Sequence, residues 1–546
     1  MNEAAIGPGS AKTWWCWFAI IATISLVIRY AISLHDSLWL DELHTGWVVG
    51  NQLSDVWPRA AIGNQSPLYF WLTWFAFQVL PNETGIRFIS MLASIGTIGL
   101  TGWIVFRSTA SLCGSTLTMS LICFADPFLY YGTEGRPYAL VQLLSVVQLL
   151  SFWQFLRVVS QQNNDDRPAR MANAWRASLM FVASSAALVY THLTGGLIAI
   201  PELIFGMIWI VLSNRNDDRG FSRVRSLWSN RWLVIGSVAT LVVICWPLLD
   251  SLATVSQRRS NWNSVAFASR LFLDVWPMVL VWFMLPMIVW VSAVKWNRTE
   301  TRLKQYLRCT DSFVLPFWLV WVWGIGVLAS LFLLQISLIA PLAMLRYFSV
   351  GIVAGPVLCG MLFQPFNHAR IRSRLIPVCL FGLLLLLNLK IMSHQESWLT
   401  TSVNQQRLLR LRSENWFEAI SEINRSKHRS AYPLFLYAAV IEDHEALSNR
   451  ESSFQEYLQF PVRSLYSLDA DRRVVVGPTL GQPHFDSEDI NAAKRNGGAW
   501  LLIRHQDEIA NEILREFLEI AQQPTASVNY LANDDSVVIL VVIDFN

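Results

Sequence analysis

The chain has 546 residues, of which 53% are hydrophobic and only 15% are charged. Its mean hydropathy of +0.37 is too high for a water-soluble protein of this size. The formal net charge of +3 favours no class of partner by its size alone. What the charges indicate therefore depends on where they lie along the chain.

Apolar blocks of roughly 20 residues, the length of a helix that crosses a bilayer, recur over most of the chain. We predict an α-helical polytopic membrane protein with about eleven transmembrane helices. The predicted spans are 14–33, 85–106, 113–131, 136–157, 175–192, 194–213, 232–250, 269–294, 313–335, 346–365 and 375–392. A shorter apolar run at 66–80 is predicted to form an interfacial helix, with a short crossing span as the alternative.

Basic residues cluster in five of the predicted loops. All five loops fall on one side of the membrane if the N-terminus is cytoplasmic and the span count holds, as the positive-inside rule requires. No cleavage site follows the first apolar block, so we expect it to remain as an anchor. We therefore predict a multi-pass plasma (inner) membrane protein whose C-terminal domain is extracytoplasmic.

The last part of the chain, 393–546, has a different composition. It is polar, with short β-prone runs such as 474–476 and 537–542 that alternate with amphipathic stretches at 413–424 and 506–520. We predict a soluble extracytoplasmic α/β domain of about 150 residues, which follows a transmembrane domain at 1–392. It contains none of the seven cysteines, so a disulfide framework is excluded there.

Residues that can do chemistry gather at the outer ends of the predicted spans. Asp41 and Glu42 are adjacent in the first outer loop, 34–84, within an apolar and aromatic stretch. An acidic pair in such a place is costly to keep unless it binds or catalyses something. The other candidates on this face are Arg87, Glu134, Arg136, His192, Arg258, Arg259, Arg346 and Tyr347. Such a set suits a ligand with an anionic head and an apolar tail.

The order of these motifs over residues 10–392 resembles the GT-C glycosyltransferases. Within them it is similar to the protein O-mannosyltransferases and bacterial aminoarabinose lipid A transferases, the family 39-like type. The motifs are the acidic pair Asp41-Glu42, a Pro-Leu-Tyr helix start at Pro67, the Glu-x-Arg-x-Tyr-x-Leu turn from Glu134, Thr191-His192-x-x-Gly, and Arg346-Tyr347. The sequence departs from the family at Asn64-Gln65-Ser66, where members often have a histidine.

The resemblance implies an inverting reaction on the extracytoplasmic face. A sugar would pass from a polyprenyl-phosphate donor, undecaprenyl phosphate being the expected carrier, to a hydroxyl of a lipid, glycan or protein. Asp41 would be the general base, Glu42 would share that role or position the acceptor, and Glu134 would hold sugar hydroxyls or orient an arginine. The candidates for binding substrate or phosphate are Arg136, Arg346, Tyr347, Arg258, Arg259, His192 and Arg87.

Each assignment has a structural alternative. The acidic pair could cap a helix, and Glu134 with Arg136 could form a salt bridge that closes a tight turn. Arg346 could reach the headgroups without binding substrate, and His192 is interpreted first as a packed structural residue. The alternative function is a multi-pass transporter or flippase of a lipid-linked or anionic substrate. A second alternative is a binding protein in which the outer domain does the work and the spans only anchor it. Against transport, the charges lie at the outer ends of spans and no repeated halves are visible.

No Walker motif, nucleotide-binding glycine fingerprint or metal-spaced Cys/His cluster occurs in the sequence. We therefore expect no nucleotide cofactor. A divalent metal is compatible with the acidic pair, but the spacing does not demand one and we assign no metal ligand. The expected partners are the lipid-linked donor, the acceptor and the membrane, and not nucleic acid.

Overall fold

A computed structural model describes most of the transmembrane region and the greater part of the C-terminal segment. The described residues are 8–35, 37–160, 167–215, 231–248, 279–296, 315–337, 345–363, 382–383, 414–438, 456–469, 471–477, 485–504, 507–522, 527–530 and 538–545.

Helices account for the first two thirds of the described chain. In order they are α1 Pro8–His35, α2 Leu40–Val49, α3 Leu53–Ile62, α4 Leu68–Val79, α5 Glu83–Thr109, α6 Leu112–Phe124, α7 Asp126–Gly132, α8 Tyr138–Ser160, α9 Arg167–Thr191, α10 Ala199–Arg215, α11 Arg231–Cys245, α12 Leu285–Trp296, α13 Phe317–Ile336, α14 Ser349–Ile352 and α15 Ala354–Met361. Short 3₁₀ turns at Leu193–Ile198, Trp246–Leu248 and Leu345–Phe348 and a π turn at Leu280–Met284 connect or extend some of them.

The C-terminal segment alternates helices and strands. Its elements are α16 Trp416–Arg425, a 3₁₀ turn Lys427–Arg429, β1 Leu434–Tyr437, α17 Phe460–Arg463, β2 Val474–Val476, α18 Ser487–Arg495, β3 Gly498–Arg504, α19 Asp507–Ala521, β4 Ser527–Tyr530 and β5 Val538–Asp544. The predicted β-prone runs and both predicted amphipathic helices are present. β4 was not predicted, because its sequence Ser-Val-Asn-Tyr lacks a β-branched or apolar run.

The structure confirms a multi-pass membrane protein. Within the described residues, five helices are long and apolar enough to cross a membrane, and the bent pair α6–α7 makes a sixth if it is one span. The predicted number of eleven is not confirmed. Shorter apolar helices occupy Leu68–Val79, Leu193–Trp209, Leu280–Val291 and Arg346–Met361, and the predicted span 375–392 lies outside the described residues apart from 382–383.

Two predicted segments are changed or clarified by the structure. The predicted single span 113–131 is two helices, α6 and α7, bent by 60° at Ala125. The backbone of Ala125 is extended, and Pro127 in the first turn of α7 cannot continue the ladder of α6. The run 66–80 forms α4, whose 12 residues span about 18 Å. That length is well short of a bilayer core of about 30 Å, so it favours the interfacial interpretation.

The chain divides into two compact units. The membrane unit comprises 1–30, 64–69 and 89–401, and the α/β unit comprises 31–63, 70–88 and 402–546. This division differs from the predicted boundary at 392, because most of the first outer loop belongs to the same unit as the C-terminal segment. Long-range hydrogen bonds account for the difference. The N–H of Leu38 donates to the Tyr466 hydroxyl at 3.1 Å, for example.

The α/β unit is built around a five-stranded mixed sheet of order β2-β1-β3-β5-β4. β1 is parallel to β2 and β3, whereas β5 is antiparallel to β3 and β4. The register pairs Gly498 with Asp544 at one end of β3 and Arg504 with Val538 at the other. Phe435, Leu501 and Phe517 are buried in the core on one face of the sheet. The unit therefore has a hydrophobic core of its own.

Candidate active site

The membrane unit holds the Glu-x-Arg turn at the end of the bent helix α7. The turn occupies 133–137, between α7 and α8, and Glu134 and Arg136 are 1% and 4% exposed. The N–H of Arg136 donates to the backbone carbonyl of Glu134 at 2.8 Å, which keeps the turn tight. Both charged side chains are therefore buried at a helix end, where only a polar or ionic partner offsets their desolvation.

Arg29 of α1 holds the break between α6 and α7. Its Nη1 donates to the carbonyl of Cys123 at 3.2 Å, and its Nη2 donates to those of Ile122 and Phe128 at 3.2 and 3.1 Å. The carbonyls of Ile122 and Cys123 lie in the last turn of α6, where helical partners are missing, and that of Phe128 lies in the first turn of α7. Arg29 is fully buried, so it does not reach outward to the headgroups, and it fixes the direction in which α7 leads to the turn.

A serine links the Pro-Leu-Tyr motif to the same turn. The Oγ of Ser90 in α5 donates to the carbonyl of Arg136 at 3.0 Å, and the hydroxyl of Tyr69 in α4 lies 3.0 Å from the same Oγ. Since Ser90 has used its proton, Tyr69 donates to it. Tyr69 is fully buried. Sequence reasoning did not single out Ser90, because one serine inside an apolar span gives no local signal.

Contacts between tilted aromatic rings bring the remaining motifs of the membrane unit together. The ring centroids of Tyr131 and Tyr138 are 5.2 Å apart, those of Tyr138 and His192 5.7 Å, and those of His192 and Tyr347 5.8 Å. The guanidinium carbon of Arg346 lies 5.3 Å from the Tyr347 ring centroid. Glu134 and Arg136 belong to the turn that leads directly into Tyr138, the first residue of α8. Motifs that are more than 200 residues apart therefore form one cluster.

His192 has a structural role in this cluster. Its Nδ1 accepts a hydrogen bond from the backbone N–H of Thr194 at 3.3 Å and lies 2.8 Å from the Thr194 hydroxyl. It thereby caps the 3₁₀ turn that follows α9. The imidazole ring also packs against the rings of Tyr138 and Tyr347. The other two arginine candidates, Arg258 and Arg259, lie outside the described residues.

The α/β unit holds the acidic pair in the first turn of α2. Both oxygens of Glu42 accept from Arg87, with Nε to Oε1 at 2.8 Å and Nη2 to Oε2 at 2.6 Å. Arg87 also donates to the carbonyls of Ser33 and Ser37, each at 3.1 Å. Both side chains are fully buried. Each nitrogen of the guanidinium therefore already has a partner within the protein, and the pair fixes the start of α2.

Asp41 differs from its neighbour. It is the second residue of α2 and is half-buried, whereas Glu42 is fully buried. An acidic side chain in the first turn of a helix interacts favourably with the positive end of the helix dipole. His44, one turn on, packs against the rings of Phe70, Tyr457 and Phe460. Among the described residues, no group of three His, Cys, Asp or Glu could hold a metal ion.

Comparisons with known proteins bear on the fold. No protein-family model matches the chain, and its sequence matches no curated protein. The structure is similar to ArnT from Cupriavidus metallidurans in the apo state, with a TM-score of 0.54 and 12% identity over 98% of each chain. It is also similar to ArnT bound to undecaprenyl phosphate, with a TM-score of 0.52 and 12% identity over 96% of this chain and 98% of that one.

A weaker likeness is to AglB, the archaeal oligosaccharyltransferase from Archaeoglobus fulgidus, in complex with an inhibitory peptide and a dolichol-phosphate. Its TM-score is 0.46 at 10% identity, over 97% of this chain and 74% of that one. The similarity to ArnT shows that the chain shares the fold of that protein, which is consistent with the predicted GT-C fold. It extends beyond the motif-bearing region, because almost the whole chain, including the α/β segment, is covered.

Proposed function

We propose that the protein is an inverting glycosyltransferase. It transfers a sugar from a polyprenyl-phosphate carrier to an acceptor hydroxyl on the extracytoplasmic face of the membrane. The observation that carries the proposal is the cluster in the membrane unit. There the turn of Glu134 and Arg136 leads into Tyr138, and ring contacts through His192 join Tyr138 to Tyr347 beside Arg346, in a fold similar to that of ArnT. Undecaprenyl phosphate is the carrier we favour, since ArnT has been crystallised with it.

The reaction needs a base and a stabiliser of negative charge. Asp41 takes the proton from the acceptor hydroxyl as its oxygen bonds to the anomeric carbon. The bond from that carbon to the phosphate oxygen breaks at the same time, and attack from the opposite face inverts the configuration. The leaving polyprenyl phosphate gains negative charge, which the fixed cations Arg346 and Arg136 stabilise. Glu134 holds sugar hydroxyls or orients one of these arginines.

The two residues of the acidic pair take different roles in this proposal. The oxygens of Glu42 are both engaged by Arg87 in a fully buried ion pair, which suits a residue that positions its neighbour. Arg87 likewise serves the protein rather than phosphate. Asp41, half-buried in the same helical turn, is the carboxylate we assign as the base.

The test is transfer from radiolabelled polyprenyl-phosphate sugars by the purified protein, with a mixed set of lipid, glycan and peptide acceptors. We expect Asp41→Asn to lower the rate by about 10²–10⁴-fold, the usual contribution of a general base. The matched control is Asp55→Asn, which removes an equally half-buried carboxylate from the first turn of the next helix, α3. Its rate should equal that of the wild type.

Each other outcome has a definite meaning. Equal rates for Asp41→Asn and the wild type would remove Asp41 from the role of base. If the wild type transferred sugar from no donor to any acceptor, the proposed glycosyltransferase activity would be contradicted. A transporter or flippase would then be the better explanation of the spans. Flux of the same labelled lipids across proteoliposomes would then be the measurement that supports it.

A further inference from the structure

The carboxylate of Glu414 lies at the N-terminus of α2, the helix that carries Asp41. Its Oε2 accepts from the backbone N–H of Leu40 at 2.9 Å and from the indole Nε1 of Trp416 at 2.7 Å. Leu40 is the first residue of α2, so no carbonyl of the helix can satisfy its N–H. Glu414 therefore caps α2 although it lies 374 positions away along the chain. Its negative charge interacts favourably with the positive end of the helix dipole.

Glu414 is itself held by the sheet. Its Oε1 accepts from Arg504 at the end of β3, with Nε at 2.8 Å and Nη2 at 2.7 Å. Its backbone carbonyl accepts from the hydroxyl of Ser37. Only 7% of the Glu414 side chain is exposed. Because charge-assisted bonds in a buried place are strong and directional, the position of this carboxylate is set by the α/β core.

Two more side chains of the C-terminal segment hold the backbone on both sides of Asp41. Before it, the hydroxyl of Tyr466 accepts from the N–H of Leu38 at 3.1 Å. Burial raises the pKa of Tyr466, so the phenol stays neutral. After it, the hydroxyl of Ser464 donates to the carbonyl of Leu43 at 2.8 Å. The segment that carries Asp41 is thus fixed by hydrogen bonds from the C-terminal part of the unit.

We propose that Glu414 is a positioning residue for Asp41, and that the C-terminal segment serves catalysis by holding this helix start in place. The inference rests on the proposed function, in which Asp41 takes the acceptor proton. A base must lie within hydrogen-bond reach of that proton, and a displacement of about 1 Å can cost about 10²-fold in rate. Loss of the cap therefore lowers turnover without weakening the binding of the donor.

The test compares Glu414→Gln in the full chain with the wild type. The amide keeps the shape, but only one oxygen remains to serve both the N–H of Leu40 and Arg504. We expect kcat to fall by about 10²-fold with an unchanged KM for the lipid-linked donor. We also expect faster hydrogen exchange of the backbone amides of 37–43, a readout that does not depend on activity.

The matched control is Asp544→Asn. Asp544 forms an ion pair with Arg429 at 2.6 Å, and it pairs in register with Gly498 at the opposite end of β3 from Arg504. The substitution thus removes a similar carboxylate from the same sheet. Both kcat and the exchange of 37–43 should match the wild type. If Glu414→Gln fails to fold, Tyr466→Phe removes only the acceptor for Leu38 and should lower kcat in the same direction.

Three results would overturn the inference. In one, amide exchange of 37–43 is unchanged in Glu414→Gln. In the second, exchange is faster but kcat is normal, so that Glu414 is a structural cap alone. In the third, Glu414→Gln raises KM for the acceptor and leaves kcat normal, which would indicate that the C-terminal segment serves acceptor binding. These differ from failure of the proposed function, in which the wild type itself transfers no sugar.

Discussion

The buried ion pair between Glu42 and Arg87 separates the roles of two adjacent carboxylates. Successive residues of a helix point about 100° apart, so Glu42 and Asp41 of α2 enter different surroundings. Glu42 is fully enclosed with Arg87, and Arg87 also satisfies the carbonyls of Ser33 and Ser37. Replacing both partners of such a buried pair by apolar residues changes the stability of a protein little. Removing only one partner is strongly destabilising, because the other charge is left buried without a counter-charge.

Glu42→Gln should therefore destabilise the protein strongly. It leaves the buried guanidinium of Arg87 without a counter-charge, and breaking a buried pair in this way costs about 3–5 kcal/mol. The measurement is denaturant unfolding of the detergent-solubilised chain. Glu456→Gln is the control, because this carboxylate is 53% exposed in its pair with Arg59 and such pairs contribute about 0–1 kcal/mol. Equal unfolding midpoints for Glu42→Gln and the wild type would contradict the role given to Glu42.

The acidic pair could be found from the sequence, but the division of labour within it could not. Two carboxylates beside a predicted span are visible as a local pattern. Which of them is buried depends on Arg87, which lies 45 positions away. Arg29 illustrates the same limit. A basic residue inside a span suggests a reach towards the headgroups, whereas the structure places it among carbonyls of residues 93–99 positions away.

The break between α6 and α7 shows how an element positions the cluster of the membrane unit. Hydropathy alone predicts one span over 113–131, since both helices are apolar. The chain turns by 60° at the extended backbone of Ala125, which Pro127 follows. The guanidinium of Arg29 accordingly donates to the carbonyls of Cys123 and Ile122 that the break leaves without helical partners. The bend brings Tyr131 and the turn that follows it towards α8. A hydropathy window cannot detect this, because it averages over the break.

The contact between α6 and α15 depends on glycine. A Cβ on Gly360 would lie 2.7 Å from the carbonyl oxygen of Gly114 and would also meet the hydroxyl of Thr118. That hydroxyl donates to the carbonyl of Pro356 at 3.1 Å. The two helices therefore approach with their backbones in close contact, as small residues allow in membrane proteins.

Gly360→Ala should consequently destabilise the membrane unit by about 1–3 kcal/mol, the usual cost of overpacking. The control is Gly236→Ala in α11, where no described atom lies within 4 Å of the added Cβ. It should be neutral or stabilising by up to about 1 kcal/mol, because alanine favours a helix more than glycine does. Thermal unfolding of both variants in detergent is the measurement. A Gly360→Ala chain as stable as Gly236→Ala would show that the helices separate at little cost.

At the scale of the whole molecule, the sequence predicts a membrane protein with a C-terminal α/β segment, and both features are present. It does not predict that most of the first outer loop forms one compact unit with that segment. The contacts responsible join residues 374 and 428 positions apart, Leu40 with Glu414 and Leu38 with Tyr466. Pairings at such separations leave no periodic pattern in a single sequence, so composition alone places the boundary at 392.

This organisation predicts the effect of deleting 402–546. In the full chain, Arg59 of α3 donates to the carbonyl of Trp47 at 2.7 Å and to Glu456 at 2.5 Å, and its guanidinium carbon lies 4.6 Å from the Trp47 ring centroid. The deletion removes Glu456 together with the residues that hold α2. We expect tryptic cleavage after Arg59 to become much faster, since α2 and α3 lose their packing and open locally.

The variant Glu456→Gln separates loss of the unit from loss of one ion pair. Glu456 is 53% exposed, so its pair with Arg59 contributes only about 0–1 kcal/mol. Cleavage after Arg59 should therefore stay as slow in this variant as in the full chain. If the truncated chain resisted trypsin equally well, α2 and α3 would have to fold without the C-terminal segment. The hydrogen bonds that Glu414 and Tyr466 accept would then be a consequence of the position of Asp41 and would not determine that position.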